Sequence, residues 1–395
     1  MNYDLKIYAE DIDPISNNQI YELMSQSTFQ NEKVRIMPDA HAGIGCVVGF
    51  TSTISDKIIP NVIGVDIGCG MRTVSLGNIE IDYPSLDDFI KKNIPAGTRV
   101  SSEYNGEDLI KSLYVYRELQ NLPRILGSIG SLGGGNHFIE IDRDSQNNKY
   151  LIIHSGSRNL GTQVASIYQK MAIDDCKNCA NDEKDRAIAE LKEQGRVSEI
   201  PDELVKISQK YAYKTKIPNQ LCYLEGTHLL SYLHDMKICQ EFALRNRMKI
   251  AEKILKHLGL SPERAEVFET IHNYIADDNI IRKGSISAKK GEKVLIPMNM
   301  RDGCLIAIGK GNEDWNNSAP HGAGRLYCRS TAKELFTVEE FQKEMQGIYS
   351  TTIQKNTLDE SPMAYKSAES IERLIMPTVD IVEIIKPVYN FKAGG

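Results

Sequence analysis

The chain has no apolar run approaching the roughly 18 residues that would cross a bilayer. Residues 1–11 lack a basic stretch leading into an apolar one, so neither a membrane protein nor a secretory leader is expected. Excess positive charge is also missing: 47 Lys and Arg stand against 53 Asp and Glu, for a formal charge of -6. That balance excludes a protein that coats nucleic acid by bulk attraction and leaves room for a local basic groove. No disulfide framework is visible. Cys46, Cys69, Cys176, Cys179, Cys222, Cys239, Cys304 and Cys328 are scattered along 395 residues and read as reduced thiols of a cytoplasmic protein. Only Cys176 and Cys179 have CxxC spacing; without a second such pair or paired histidines nearby they read as two thiols on a helix. Finally there is no internal repeat, low-complexity linker or compositional break. One α+β domain over residues 1–395, a β-sheet core with a helical insertion near 159–260, is therefore favoured over two or three domains.

What is present alternates short β-type runs, at residues 46–54, 57–65 and 71–76, with glycine turns. Helical patterns follow at 85–93 and 107–121, and a glycine-dense stretch at 127–135 leads into a strand ending at His154. Residues 159–257 read almost entirely as helix, with a charged piece at 181–209 expected in solvent and a long helix at 227–258. Strands return at 285–288, 293–296 and 304–308, and a last one lies within 379–391.

There are only eight histidines. His228, His234 and His257 fall in the long helical pattern, where surface or packing roles are the default. The other five stand beside small or polar residues at strand ends and loops, the places from which a scaffold projects chemical groups. In Asp66-Ile67-Gly68-Cys69-Gly70 a carboxylate and a thiol share one tight glycine turn. With His137 after Gly133-Gly134-Gly135-Asn136, His154 before Ser155-Gly156-Ser157-Arg158, and His272 before Asn273, the donors suffice for two metal ions sharing a bridging thiolate. Donor types alone leave zinc and manganese open. His321 lies in Pro320-His321-Gly322-Ala323-Gly324-Arg325, where small residues let backbone N–H groups approach phosphate oxygens and an arginine can neutralise them. An imidazole there can serve as a hydrogen-bond donor to phosphate, a general acid or a nucleophile. The basic pair Arg282 and Lys283 is expected on a solvated surface.

Five blocks together resemble the RtcB family of RNA-splicing ligases: Met37-Pro38-Asp39-Ala40-His41-Ala42-Gly43-Ile44-Gly45, Gly64-Val65-Asp66-Ile67-Gly68-Cys69-Gly70-Met71, Gly135-Asn136-His137-Phe138-Ile139-Glu140, His154-Ser155-Gly156-Ser157-Arg158 and His321-Gly322-Ala323-Gly324-Arg325. They occur in family order across nearly the whole chain. The resemblance implies an enzyme that joins RNA 2',3'-cyclic-phosphate or 3'-phosphate ends to 5'-hydroxyl ends, using GTP and two manganese ions, with an archease-type activator as a possible partner. It implies that Asp66, Cys69 and His137 hold one ion, that Cys69, His154 and His272 hold the other, and that His321 is the residue guanylylated. Asn136, His137, Phe138, Ile139, Glu140, Asn273, Pro297, Met298, Asn299, Met300, Cys304, His321, Gly322, Ala323, Gly324 and Lys392 fall where the family contacts the nucleotide. Arg158, Arg325 and Arg329 are candidates for gripping substrate phosphates.

The sequence departs from that family in places. After Pro297 relatives commonly show Gly-Ser-Met-Gly, whereas this chain has Met298-Asn299-Met300-Arg301-Asp302-Gly303, with Cys304 where serine is common. It also runs through Ala393, Gly394 and Gly395, past the Lys-Gly at which relatives commonly stop. The altered run resembles a bacterial side branch and suggests a paralogue devoted to RNA repair. Two other activities compete with ligation: a self-guanylylating transferase that activates or caps 3'-phosphate ends without sealing them, and an inactive RNA-binding paralogue.

Overall fold

The computed structural model describes residues 4–261 and 265–393; Gly394 and Gly395 lie outside the described residues. Its larger sheet has seven strands in the order Lys293–Asn299, Gly303–Gly309, Val379–Lys392, Phe138–Arg143, Lys149–Ser155, Gly70–Gly77 and Val267–Ile271. Every neighbouring pair is antiparallel. The two outer strands approach each other, with Leu295 N–H donating to Thr270 Oγ1 at 3.0 Å and Lys293 Nζ reaching Glu266 at 2.6 Å. The sheet thus curls most of the way into a barrel. Period-two alternation gives it two cores. Ile139, Ile141, Leu151 and Ile153 pack outward with Val74 and with Ile250 and Ile254 of a covering helix, while Phe138, Ile152, Leu295, Cys304 and Ile306 fill the inside.

A second sheet runs Asp4–Ile7, Lys33–His41, Val48–Thr53, Ile280–Lys283, Asn273–Ile275; its first pair is parallel and the rest antiparallel. It joins a core shared with the helices Arg158–Lys177 and Gly226–His257, through residues such as Phe50, Val164, Tyr168 and Phe242. The result is an α+β fold. The expected long helix is present as Gly226–His257, 32 residues. The charged piece folds as two helices, Asn181–Glu193 and Ile200–Thr215, in which only Leu191 and Ile207 are buried. Among the described residues no helix is long and apolar enough to cross a membrane.

Three expectations need correction. The run at 57–65 is a strand only over Lys57–Ile58, because Pro60 has no N–H for a ladder and starts a short 3-10 turn, Pro60–Val62. The helix expected at 107–121 stops at Lys111, where the Asp235 carboxylate accepts from Tyr114 N and Val115 N at 2.9 and 3.2 Å and draws the backbone out of helical geometry. Arg282 and Lys283 are buried, not solvated. Their strand lies between Val48–Thr53 and Asn273–Ile275 with both faces covered. Arg282 pairs with Asp278 at 3.0 Å, and Lys283 Nζ donates to the carbonyls of Ile44 and Asn61.

Candidate active site

Strand register assembles the cluster of candidate metal ligands. His154 pairs with Met71 on one side and Phe138 on the other, and Gly70 pairs with both Ser155 and Ile271. Cys69, His137, His154 and His272, each on or beside one of these paired residues, therefore emerge at the same end of four adjacent strands. Cys69 Sγ lies 3.3 Å from His137 Nε2 and 3.3 Å from His154 Nε2. His154 Nε2 is 3.4 Å from His272 Nε2, and Asp66 Oδ2 is 3.0 Å from His137 Nε2. The Asp66 carboxylate fits only because residue 156 is glycine: a Cβ there would sit 2.3 Å from Asp66 Oδ1.

The donor set suits a transition-metal ion. His137 Nδ1 donates to Leu132 O at 2.9 Å and His154 Nδ1 to Asn136 O at 3.1 Å, so both Nε2 lone pairs face Cys69. Burial, reinforced by neighbouring imidazoles, pushes His154 and His272 well below the ordinary histidine range, leaving them neutral and free to coordinate. Burial, and next the Asp66 carboxylate, pushes the Cys69 thiol up, so only a bound cation would make it a thiolate. Lone-pair donors of N, S and O type converge on one point. That is the arrangement a metal resolves.

His321 follows the short strand Ser318–Pro320 and faces the same cluster, its ring 4.8 Å from that of His272 between centroids. The fully buried Asp39 carboxylate accepts from His321 Nδ1 at 2.7 Å and from its backbone N–H at 3.2 Å. An ionised carboxylate only accepts, so in the neutral ring the proton is on Nδ1 and Nε2 keeps its lone pair. Gly49, at φ +84°, lets the next strand pass Asp39: a Cβ would lie 2.9 Å from Oδ1. His41, whose imidazole burial pushes down to about 4, donates to Asp39 O.

Two clefts open from this centre. The first holds His321, Gly322, Ala323 and Gly324 with Asn136, Phe138, Glu140 and Lys392, and is walled by Pro297, Met298, Asn299 and Met300. Arg325 and Arg329 line it as well. The second lies beside Asp66 and His137 and carries Arg124, Arg158 and Asn159. Arg158, at the unusual φ of +58°, is anchored through Gly97 O at 2.9 Å.

Four expected contacts are not on the first cleft, and His137, one of them, lines the second. Ile139 points the opposite way on its strand and is buried in the outer core. Cys304 sits behind Glu140, its Sγ 3.8 Å from Oε1. Asn273 is spent on backbone, donating to Asp66 O and accepting from Gly284 N. Arg301 is turned outward and bound to Asp302 and Glu344, so the extra charge of the altered run does not enter the cleft.

Sequence reasoning gave no role to Asp39, although it lies inside a motif block. It also missed Asn246 and Arg247, which the long helix sends into the core. Asn246 Oδ1 accepts from Gly130 N and Ser131 N, and its Nδ2 donates to Ser155 Oγ and Gly156 O. Arg247 donates to Gly68 O and Ser155 O, both at 2.9 Å, and pairs with Glu269 at 2.7 Å. One helical turn thereby ties down the loops that carry Cys69, His137 and His154.

The family described as tRNA-splicing ligase RtcB matches residues 19–121 and 116–393. The chain is 28% identical over 436 aligned positions to the RNA-splicing ligase RtcB of Escherichia coli (strain K12), covering 98% of this chain and 97% of that protein. It is 25% identical to RNA-splicing ligase RtcB2 of another Escherichia coli strain, with 96% and 93% covered. It is likewise 25% identical to the tRNA-splicing ligase RtcB of Nanoarchaeum equitans, with 95% and 91% covered.

Proposed function

The chain belongs to the RtcB family, and from that premise we propose that it is a GTP- and manganese-dependent RNA ligase of RNA repair or tRNA splicing. It would join 3'-phosphate or 2',3'-cyclic-phosphate ends to 5'-hydroxyl ends through a guanylylated His321. The observation that carries this reading is the placement of His321: Asp39 fixes its Nδ1 proton, and the free Nε2 stands between a metal-ligand cluster and a cleft edged by two arginines and a lysine.

In the first step the Nε2 lone pair attacks the α-phosphorus of GTP; a P–N bond forms, the α–β P–O bond breaks, and pyrophosphate leaves with the electron pair. Asp39 stabilises the imidazolium character that develops and keeps the ring aimed. In the second step an oxygen of the RNA 3'-phosphate displaces the imidazole and takes the GMP. The 5'-hydroxyl oxygen then attacks the RNA phosphorus, loses its proton and releases GMP. A cyclic phosphate end must first be opened by water to the 3'-phosphate. Asp66, Cys69 and His137 would hold one manganese and Cys69, His154 and His272 the second, and such ions supply charge neutralisation at phosphoryl oxygens. The second cleft, with Arg158 and Arg124 beside Asp66, suits the approaching RNA phosphates.

The test is the mass of the protein after incubation with GTP and manganese, followed by an RNA-joining assay. The wild type should gain one GMP, and His321→Ala none, with its manganese content unchanged. Failure of any nucleoside triphosphate to add mass would overturn the reading. Guanylylated protein that joins no RNA would favour a transferase that only activates 3'-phosphate ends.

A further inference from the structure

Glu360 is 2% exposed and closes the short 3-10 segment Lys355–Glu360. It does not line the His321 cleft, yet four groups that do converge on its carboxylate. Lys392 Nζ lies 2.6 Å from Oε2 and the Tyr365 hydroxyl donates to the same oxygen at 2.6 Å. Arg329 and Arg325 reach Oε1 at 2.6 and 3.3 Å. These groups come from separate parts of the chain: the arginines follow the His321 loop, whereas Lys392 ends the last strand, opposite Phe138. Arg325 also stacks over the Tyr365 ring and Lys392 over the Phe138 ring.

We propose that Glu360 is a positioning residue for nucleotide transfer: its buried carboxylate gathers Arg325, Arg329 and Lys392 and presents their cationic ends to the phosphates of a nucleotide in the His321 cleft. This rests on the ligase reading above. Three cations drawn to one point repel each other, and without a central anion they would splay toward solvent. Burial alone would raise the Glu360 carboxyl, but the charges of Lys392, Arg329 and Arg325 outweigh it and hold it at about 2, so the anion persists at any working pH. Asp359 contributes a second anchor for Arg329, at 2.6 Å, and is shared with Lys333. Among the described residues, Glu360 alone touches all three cations of the cleft.

The experiment is single-turnover guanylylation of the manganese-loaded full-length protein over a range of GTP concentrations, with thermal melting alongside. Glu360→Gln keeps the shape and removes the charge. With one more net positive charge in the cleft its half-saturating GTP should stay within about 3-fold of wild type, while the maximal rate falls at least ~30-fold because the cations lose their aim. Glu360→Asp keeps the anion, set back by one methylene, and should recover most of the rate, leaving it about 2- to 5-fold below wild type. A wild-type maximal rate in Glu360→Gln overturns the proposal. So does a loss that merely tracks a lowered melting temperature and vanishes on cooling. Should Glu360→Gln fail to fold, Glu360→Asp decides: a rate reduced with half-saturation unchanged supports positioning, and fully wild-type kinetics overturn it. Wild-type protein that forms no adduct with any nucleoside triphosphate overturns the ligase reading itself, independently of these variants.

Discussion

In the cluster of candidate metal ligands, Cys69, His137, His154 and His272 are placed by backbone pairing, and backbone carbonyls orient the rings of His137 and His154, whereas the cations of the neighbouring cleft are placed by side-chain carboxylates that reach them from distant segments. The first arrangement is stiff, because moving one ligand means slipping a strand. The second is adjustable: one substitution in an anchoring acid redirects several cations at once. Under the proposed function, the groups for phosphoryl transfer would sit on the sheet, and those that distinguish one nucleotide or RNA end from another would sit on loops and ion pairs.

Breaking the stiff half should have the largest effect. Cys69→Ala removes the atom 3.3 Å from two different imidazoles and should eliminate manganese from both positions, lowering guanylylation and ligation at least ~10³-fold. Metal analysis and the mass assay check this; two bound manganese ions and retained ligation would show that Cys69 only packs. Asp39→Asn comes next. An amide can donate to His321 Nδ1, moving the imidazole proton to Nε2 and removing the nucleophilic lone pair, so adduct formation should fall about 10²–10⁴-fold with manganese binding intact. A near-wild-type rate would mean that the tautomer is not set by Asp39.

A third variant asks whether the cluster depends on more than register. Arg247→Met leaves Gly68 O and Ser155 O without their donor and Glu269 without one partner. We expect about 3–5 kcal/mol of lost stability, read by denaturant unfolding, and a 10–100-fold loss of manganese affinity, read by titration. Unchanged affinity in a destabilised protein would confine the helix to a packing role.

The same contrast governs what the sequence made legible. Asp66, Cys69, His137, His154 and His272 stand out because each has a glycine, small or polar residue within two positions near a strand end, and strand pairing then brings them together without further information. Asn246 and Arg247 do not stand out, since polar residues on an amphipathic helix look solvated until one knows that two sheets cover that face. Arg282 and Lys283 were misjudged for the same reason: charge does not reveal whether a strand is central. Ile139 was grouped with its neighbours as a contiguous block, but alternation sends every second side chain to the other core. Glu360 lies in a segment with no periodic signal, and its cationic partners Arg329 and Arg325 are 31 and 35 residues away, with Lys392 on the last strand.

The smallest expected effects lie in the altered run after Pro297, where the adjustable half departs from its relatives. Met298 and Met300 are buried against the cleft wall, whereas Asn299 folds the hairpin by accepting from Arg301 N and Asp302 N at 3.0 and 2.9 Å. Arg301 is neutralised by Asp302 and Glu344 outside the cleft. Volume, not charge, is therefore the variable that the run changes for a bound nucleotide. Arg301→Gly should leave the relative rates of adduct formation with GTP, ATP, CTP and UTP within about 2-fold, as expected for an exposed ion pair. Met298→Gly removes a side chain from the wall and should shift those ratios by up to about 10-fold, the scale of a methylene or two in a pocket. Parallel mass measurements with the four nucleotides decide between them, and a larger shift from Arg301→Gly than from Met298→Gly would return the charge of this run to the nucleotide site.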